Sequence, residues 1–262
     1  MPHRLAAVFA HPDDDTFGLG GTLLLHPDAE YTLIVATSGA AGMISDPSLA
    51  TPETLADVRE QEERTALATL GREDVEVHFL RYPDMGLSEV PRAELVGKVA
   101  QLLAEVNPDV VVTFGPEGIT GHADHVTIGQ AATEAFHEVR AKADGRGFER
   151  LYYNAIPQSD LDLFRQVASQ AGLDMGDPDD PFRPKGVPDD TIAVRVDCSS
   201  VADLKIEALR AHETQADEIQ GFPDELLRAF ASLEYFVQAW PEVTDRRALP
   251  VADLFQGMAQ TE

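Results

Sequence analysis

The sequence predicts a single α/β domain over residues 1–262, built as a Rossmann-like open sheet, mostly parallel, with helices on both faces. Three observations predict it. The length, 262 residues, suits one domain. Short β-branched or apolar runs alternate with helical patterns, the signature of βαβ units. Most of those runs are nearly continuous in apolar residues, as strands covered on both faces of a parallel sheet are.

The first strand is expected over residues 5–10, LAAVFA, with a helix beginning near Thr16. Further strands are expected over 32–37, 75–82 and 109–114. The helix expected over 52–70 sets Leu55, Val58, Ala66, Leu67 and Leu70 on one side and ends at Gly71, the residue that best closes a helix. Residues 91–106 repeat the pattern with Leu95, Val99, Leu102, Leu103 and Val106, and stop before Asn107-Pro108, where the proline ring disfavours helix in the preceding residue. A helix at about 124–140, a strand at 151–156, a helix near 161–171 and a strand at 191–196 follow. The crossovers between parallel strands are expected to be right-handed. The stretch 174–190, DMGDPDDPFRPKGVPDD, is long for a loop in a compact domain and reads as mobile or as part of a substrate lid. Helices are expected around 201–215 and 224–240. The core spans 4–156, and a C-terminal strand and helices, 190–240, complete the one domain.

Composition narrows the function. The 46 acidic and 20 basic residues leave a net charge of −26, which repels phosphate backbones and anionic lipids, so nucleic-acid and membrane partners are not expected. The single cysteine, Cys198, has no partner for an internal disulfide, which fits a reducing cytosol. LAAVFA is shorter than the apolar core of a signal peptide, and no apolar run approaches the roughly 20 residues of a membrane span. A cytoplasmic protein is expected; a homo-oligomer stays open.

Chemistry concentrates in two segments. In AHPDDDTFGLGG, residues 10–21, His11 through Asp15 fall at the carboxyl edge of the first strand, where open α/β sheets collect their ligands. A plainer reading makes Asp13–Asp15 helix caps favoured by the helix dipole. Capping accounts for one or two aspartates, not for the histidine, and three adjacent carboxylates repel one another unless a cation is present. In FGPEGITGHADHVTIGQ, residues 114–130, His122 and His125 stand three apart around Asp124, at the same edge of the same sheet.

The pair A-H-P-D-D and G-H-x-D-H resembles the PIG-L/LmbE family of zinc-dependent N-acetylglucosamine de-N-acetylases. Arg59, Glu62, Ala66 and Leu70-Gly71, then Asp84, then KIEALRAHETQ at 205–215, extend the resemblance from residue 5 to about 215. It implies zinc held by His11, Asp14 and His125, with a fourth position open as catalytic zinc requires. Iron or cobalt suits such a donor set too, because affinity alone does not select the metal. It implies Asp13 as the general base, His122 as the group that stabilises the oxyanion and serves the leaving amine, and Asp124 as the residue that orients the His122 ring. Arg59 and Asp84 match positions that contact substrate hydroxyls or the catalytic groups. His212 reads as structural. Two departures stand out: Ala123 replaces a frequent proline, and Thr120 replaces an aromatic residue found in several relatives. Phe17 makes the expected pocket mouth more apolar than a sugar site needs.

The implied activity is removal of an acetyl or other acyl group from an N-acetylglucosamine-type amide, a small soluble glycoconjugate of thiol or secondary metabolism. The alternatives are an amidase acting on a non-sugar or thiol-conjugate amide, and a non-catalytic metal-binding protein of the same fold. Retention of both Asp13 and His122 argues against the last. Gly18, Gly20 and Gly21 do not make a dinucleotide fingerprint, since the next required glycine is Leu23. No G-x-S-x-G elbow offers a serine nucleophile.

Overall fold

A computed structural model describes residues 2–143, 145, 147–170, 172–173 and 183–258. Seven strands form one sheet: β1 (Arg4–Phe9), β2 (Glu30–Thr37), β3 (Glu76–Tyr82), β4 (Val110–Phe114), β5 (Arg150–Ala155), β6 (Ile192–Asp197) and β7 (Leu233–Trp240). Their order is β3-β2-β1-β4-β5-β7-β6. β1 to β5 pair in parallel, and β7 lies antiparallel between β5 and β6. The expected mostly parallel open sheet is therefore present. β1 and β4 are buried along almost their whole length, which is why both are written in apolar residues.

The helices are α1 (Asp14–Leu25), α2 (Leu55–Thr69), α3 (Arg92–Val106), the short α4 (Gly118–Gly121), α5 (Ala123–Arg140), α6 (Gln158–Gln170), α7 (Ala202–Arg210) and α8 (Asp224–Ala231). Two expectations need correction. The first helix starts at Asp14, two residues before Thr16, because Asp14 and Asp15 sit favourably in a first turn beside the positive end of the helix. The helix expected over 224–240 ends at Ala231, and residues 233–240 form β7. LEYFVQAW carries the aromatic and β-branched residues of a strand, and hydrogen bonding to two neighbours decides it. Of the loop expected over 174–190, residues 174–182 lie outside the described residues. Beyond them, Val187 bridges Pro157 and the Lys185 amide donates to the Ile119 carbonyl (2.6 Å).

β1 has β2 on one side and β4 on the other, so the strand order reverses between β1 and β4. The crevice past their carboxyl ends is where such sheets bind ligands. The turn after β1 carries His11–Asp15, and the turn after β4 carries Gly118–His125. Behind them α1 packs closely on the sheet's far half: a Cβ on Gly21 would lie 2.4 Å from Cys198 Sγ, so only glycine fits. Among the described residues no helix is long and apolar enough to cross a membrane.

Candidate metal and catalytic site

The two turns bring three donors together. His11 Nδ1 and His125 Nε2 lie 3.1 Å apart. Asp14 approaches them at 3.7 Å (Oδ2 to His11 Nδ1) and 3.4 Å (Oδ1 to His125 Nε2). Nitrogen and oxygen ligands about 2.1 Å from a tetrahedral zinc lie about 3.4 Å from one another. The chemistry and spacing of the set therefore suit zinc. His122 also offers a nitrogen within 4.8 Å of His11 and His125, and Asp84 and Asp124 make a like grouping with His11.

Each donor is held from behind. Asp14 Oδ2 accepts the amides of Ala10 (3.1 Å) and His11 (2.8 Å), which folds the β1–α1 turn around its own carboxylate. His125 Nδ1 lies 3.0 Å from the Gly118 carbonyl, which can only accept, so the ring proton sits on Nδ1 and the lone pair of Nε2 faces His11 and Asp14. Phe114 stacks on the same ring at 4.1 Å and 6°. His11 Nε2 lies 3.1 Å from Asp84 Oδ1 and 3.6 Å from Asp124 Oδ2, close ionic approaches without hydrogen-bond alignment.

The electrostatics match a cation site. Burial alone would lower His11, but Asp124, Asp84 and Asp14 outweigh it and raise its pKa to about 10. Burial tends to raise Asp84, yet His11 opposite holds it down to about 2. Burial, followed by the charge on His11, lowers His122, and burial likewise lowers His125, so both favour the neutral form that binds metal or donates through one N–H.

Asp13 sits between this cluster and α2. Its backbone has φ 109° and ψ −33°, a region a residue with a side chain rarely enters and one that costs about 1–3 kcal/mol. Its carboxylate is bound by Arg59 Nη2 (2.8 Å), which also donates to the Pro12 carbonyl (2.8 Å), while Arg59 Nη1 donates to the Gly39 carbonyl (3.2 Å). Gly39 is required there, since a Cβ on it would lie 2.3 Å from the guanidinium and its φ is +66°. Arg59 is 4% exposed. Of the two contacts expected of Arg59, with substrate hydroxyls or with the catalytic groups, the structure has the one with Asp13, because the inward face of α2 buries the guanidinium against the turn.

Asp84 and Asp124 also face inward. Asp84 accepts the Ala41 amide (2.7 Å) and stands against His11, at the edge of the donor cluster. The Asp124 carboxylate accepts the amides of Met85 (2.7 Å) and Leu87 (3.0 Å). Asp124 meets the His122 ring through its amide, which donates to Nδ1 (3.1 Å); in the neutral ring the proton is thereby left on Nε2. His212 is buried, 3.5 Å from Thr16 Oγ1, and away from the donor cluster. A hollow of about 410 Å³ bounded by Arg4, Glu30, Glu76 and Val106 lies at the opposite, amino-terminal edge of the sheet and has no such convergence of donors.

Glu63 belongs to this neighbourhood although no motif marks it. Its Oε2 accepts the Asp13 amide (2.9 Å), and it is fully buried. Only its spacing of four from Arg59, one turn of helix, could have pointed to it. Its neighbour Glu62 instead binds the amide and hydroxyl of Thr214 (2.7 Å each).

The family model described as GlcNAc-PI de-N-acetylase, PIG-L, matches residues 6–136, from β1 through most of α5. A 1D-myo-inositol 2-acetamido-2-deoxy-alpha-D-glucopyranoside deacetylase of Kineococcus radiotolerans is 32% identical, the alignment covering 82% of this chain and 69% of that protein. Among solved structures, the N,N′-diacetylchitobiose deacetylase of Pyrococcus horikoshii is similar with a TM-score of 0.58 at 23% identity, covering 90% of this chain and 83% of the other. The 4-carboxy-2-hydroxymuconate hydratase of Pseudomonas putida has the same TM-score, 0.58, at 18% identity, covering 93% and 98%. The fold thus houses more than one reaction, and the site must decide.

Proposed function

The chain belongs to the PIG-L family of GlcNAc-PI de-N-acetylases, and from that premise we propose that it is a zinc-dependent amide hydrolase that releases acetate from a small N-acetylglucosaminyl conjugate in the cytoplasm. The observation that carries this reading is the convergence of His11, Asp14 and His125 at tetrahedral spacing with Asp13 beside them. These three are proposed to hold the zinc. Zinc supplies a Lewis acid that polarises the amide carbonyl and brings the pKa of a water towards neutrality.

The chain's own residues do the rest. Asp13 accepts a proton from the attacking water as the C–O bond forms. The Nε2–H of His122 faces the developing oxyanion, and a donor so placed contributes about 3 kcal/mol. As the C–N bond breaks, the amine leaves with a proton delivered from Asp13 or His122, and general acid–base help of this kind contributes roughly a hundredfold or more. Arg59 keeps the Asp13 carboxylate aimed. Asp84 and Asp124 hold His11 and the loop after β3.

The relatives' names supply the substrate class: an α-glucosaminide of inositol bearing an N-acetyl group. Zinc-loaded protein is therefore incubated with 1D-myo-inositol 2-acetamido-2-deoxy-α-D-glucopyranoside, N-acetylglucosamine and N,N′-diacetylchitobiose, and acetate is measured. Release is expected, fastest from the inositol conjugate, and absent in Asp13→Ala. No acetate from any of the three, with zinc bound, sinks the reading.

A further inference from the structure

We infer that Glu63 is the positioning residue of the proposed base: by accepting the Asp13 amide from inside the protein, it holds the Asp13 backbone at φ 109° and so aims the carboxylate. The inference rests on the reading of Asp13 as base.

The Asp13 carbonyl starts α1 by accepting the Phe17 amide (3.0 Å), and its amide and carboxylate are held from α2. Asp13 is the N-cap of α1, yet its side chain makes no capping hydrogen bond, so the usual reward for an aspartate at that position is forgone. The carboxylate is turned away from the helix it precedes, towards Arg59. A backbone at positive φ persists only where surrounding contacts over-determine it. Two side chains from one turn of α2 contribute here: Arg59 binds the carboxylate and the preceding Pro12 carbonyl, and Glu63 binds the amide between them. The arginine fixes where the carboxylate ends, and the glutamate fixes the plane of the peptide from which it departs. Without the second hold, the peptide is fixed at its Pro12 carbonyl alone, its N–H end is left to pivot, and the carboxylate swings on its arginine partner.

Glu63 is well suited to that task. It is fully buried on α2, and water has no access to take its place as acceptor. Asp15, one residue beyond Asp14, lies next to it and is itself anchored by the Tyr31 hydroxyl (3.3 Å), so the glutamate is hemmed in on the side away from Asp13. Glu62, adjacent on the same helix and also buried, binds Thr214 and serves as an internal reference for a purely structural glutamate.

The test compares the zinc-loaded full chain with Glu63→Met, Glu63→Gln and Asp13→Asn, using acetate release from 1D-myo-inositol 2-acetamido-2-deoxy-α-D-glucopyranoside, bound zinc, and the crystal structure of Glu63→Met. Asp13→Asn is expected to keep zinc and lose turnover. Glu63→Met is expected to keep stoichiometric zinc, hold KM within about threefold and lose about a hundredfold in kcat. Its Asp13 φ is expected to relax to a negative value, a readout independent of turnover. Glu63→Gln retains an acceptor oxygen and recovers most of kcat. Parental kcat in Glu63→Met with a dead Asp13→Asn overturns the positioning role and leaves the base standing. Full turnover in Asp13→Asn overturns the base and the inference with it. Zinc loss in Glu63→Met, an Asp13 φ still near its parental value, or a Glu63→Gln as poor as Glu63→Met also overturns it. If Glu63→Met fails to fold, Glu63→Asp, one methylene too short to reach, carries the same expected loss of kcat and is read the same way.

Discussion

Two imidazoles of the site have their tautomer set by a partner behind them, the Gly118 carbonyl for His125 and the Asp124 amide for His122, and the third, His11, faces the Asp84 carboxylate. The consequence is sharpest for His11. Replacing Asp84 with asparagine keeps the volume but removes the charge opposite His11 Nε2, and zinc affinity is expected to fall about 10–100-fold in a chelator competition. Undiminished affinity counts against the orienting role. For Arg59 the geometry separates base from substrate. Arg59→Lys cannot reproduce a fork that holds both Asp13 and the Pro12 carbonyl, so kcat is expected to fall about tenfold or more with KM little changed. A change confined to KM would return Arg59 to the substrate. The convergence of His11, Asp14 and His125 was legible because a histidine and an aspartate at the end of an apolar strand have few structural reasons to be there. The direction in which Arg59 points was not legible. It depends on Gly39, twenty residues earlier in the chain, leaving room for the guanidinium.

At the level of elements, the sheet's parallel half was legible from its runs of apolar residues, and β7 was not. LEYFVQAW follows α8 with only Ser232 between, and its edges are half-buried, so neither a breaker nor a clean alternation separates strand from helix. What β7 contributes is Glu234. This residue accepts the Gly21 amide (2.7 Å), the Thr22 amide (2.9 Å) and the Thr22 hydroxyl (2.6 Å), and pairs with Lys205 Nζ (2.7 Å), which donates also to the Phe17 carbonyl (2.8 Å). Both side chains are 1% exposed. The pair ties α1, α7 and β7 together behind the turn that follows β1. Glu234→Ala strands the buried ammonium and is expected to destabilise the fold by about 3–5 kcal/mol in urea titration. A loss below about 1 kcal/mol would mean that Lys205 finds another partner. The motif KIEALRAHETQ thus resolves into supports: Lys205 for α1, Thr214 for Glu62 of α2, and His212 beneath Thr16.

For the molecule as a whole, acid is the condition that separates its electrostatic contributions. The net charge of −26 repels itself, so partial protonation of surface carboxylates relieves the fold as pH falls from neutrality. His212 acts in the opposite sense. Burial first, and the charge of Arg59 second, lower its pKa from 6.5 to about 3. Between those values the unfolded chain binds a proton on this ring that the folded chain does not, so stability rises with pH across the interval. The contribution is fully present above about pH 6.5 and is lost progressively as pH falls towards 3. The two effects are told apart by comparing the parent with His212→Gln at the same pH, because surface repulsion is common to both. Urea midpoints are expected to show the parent losing ground to the variant on going from pH 7.5 to 5. The gap between them should be insensitive to salt, since the ring is 3% exposed and largely beyond screening. Parallel pH profiles would mean that the ring is solvated or protonated inside the fold, and the buried neutral histidine would have to be abandoned.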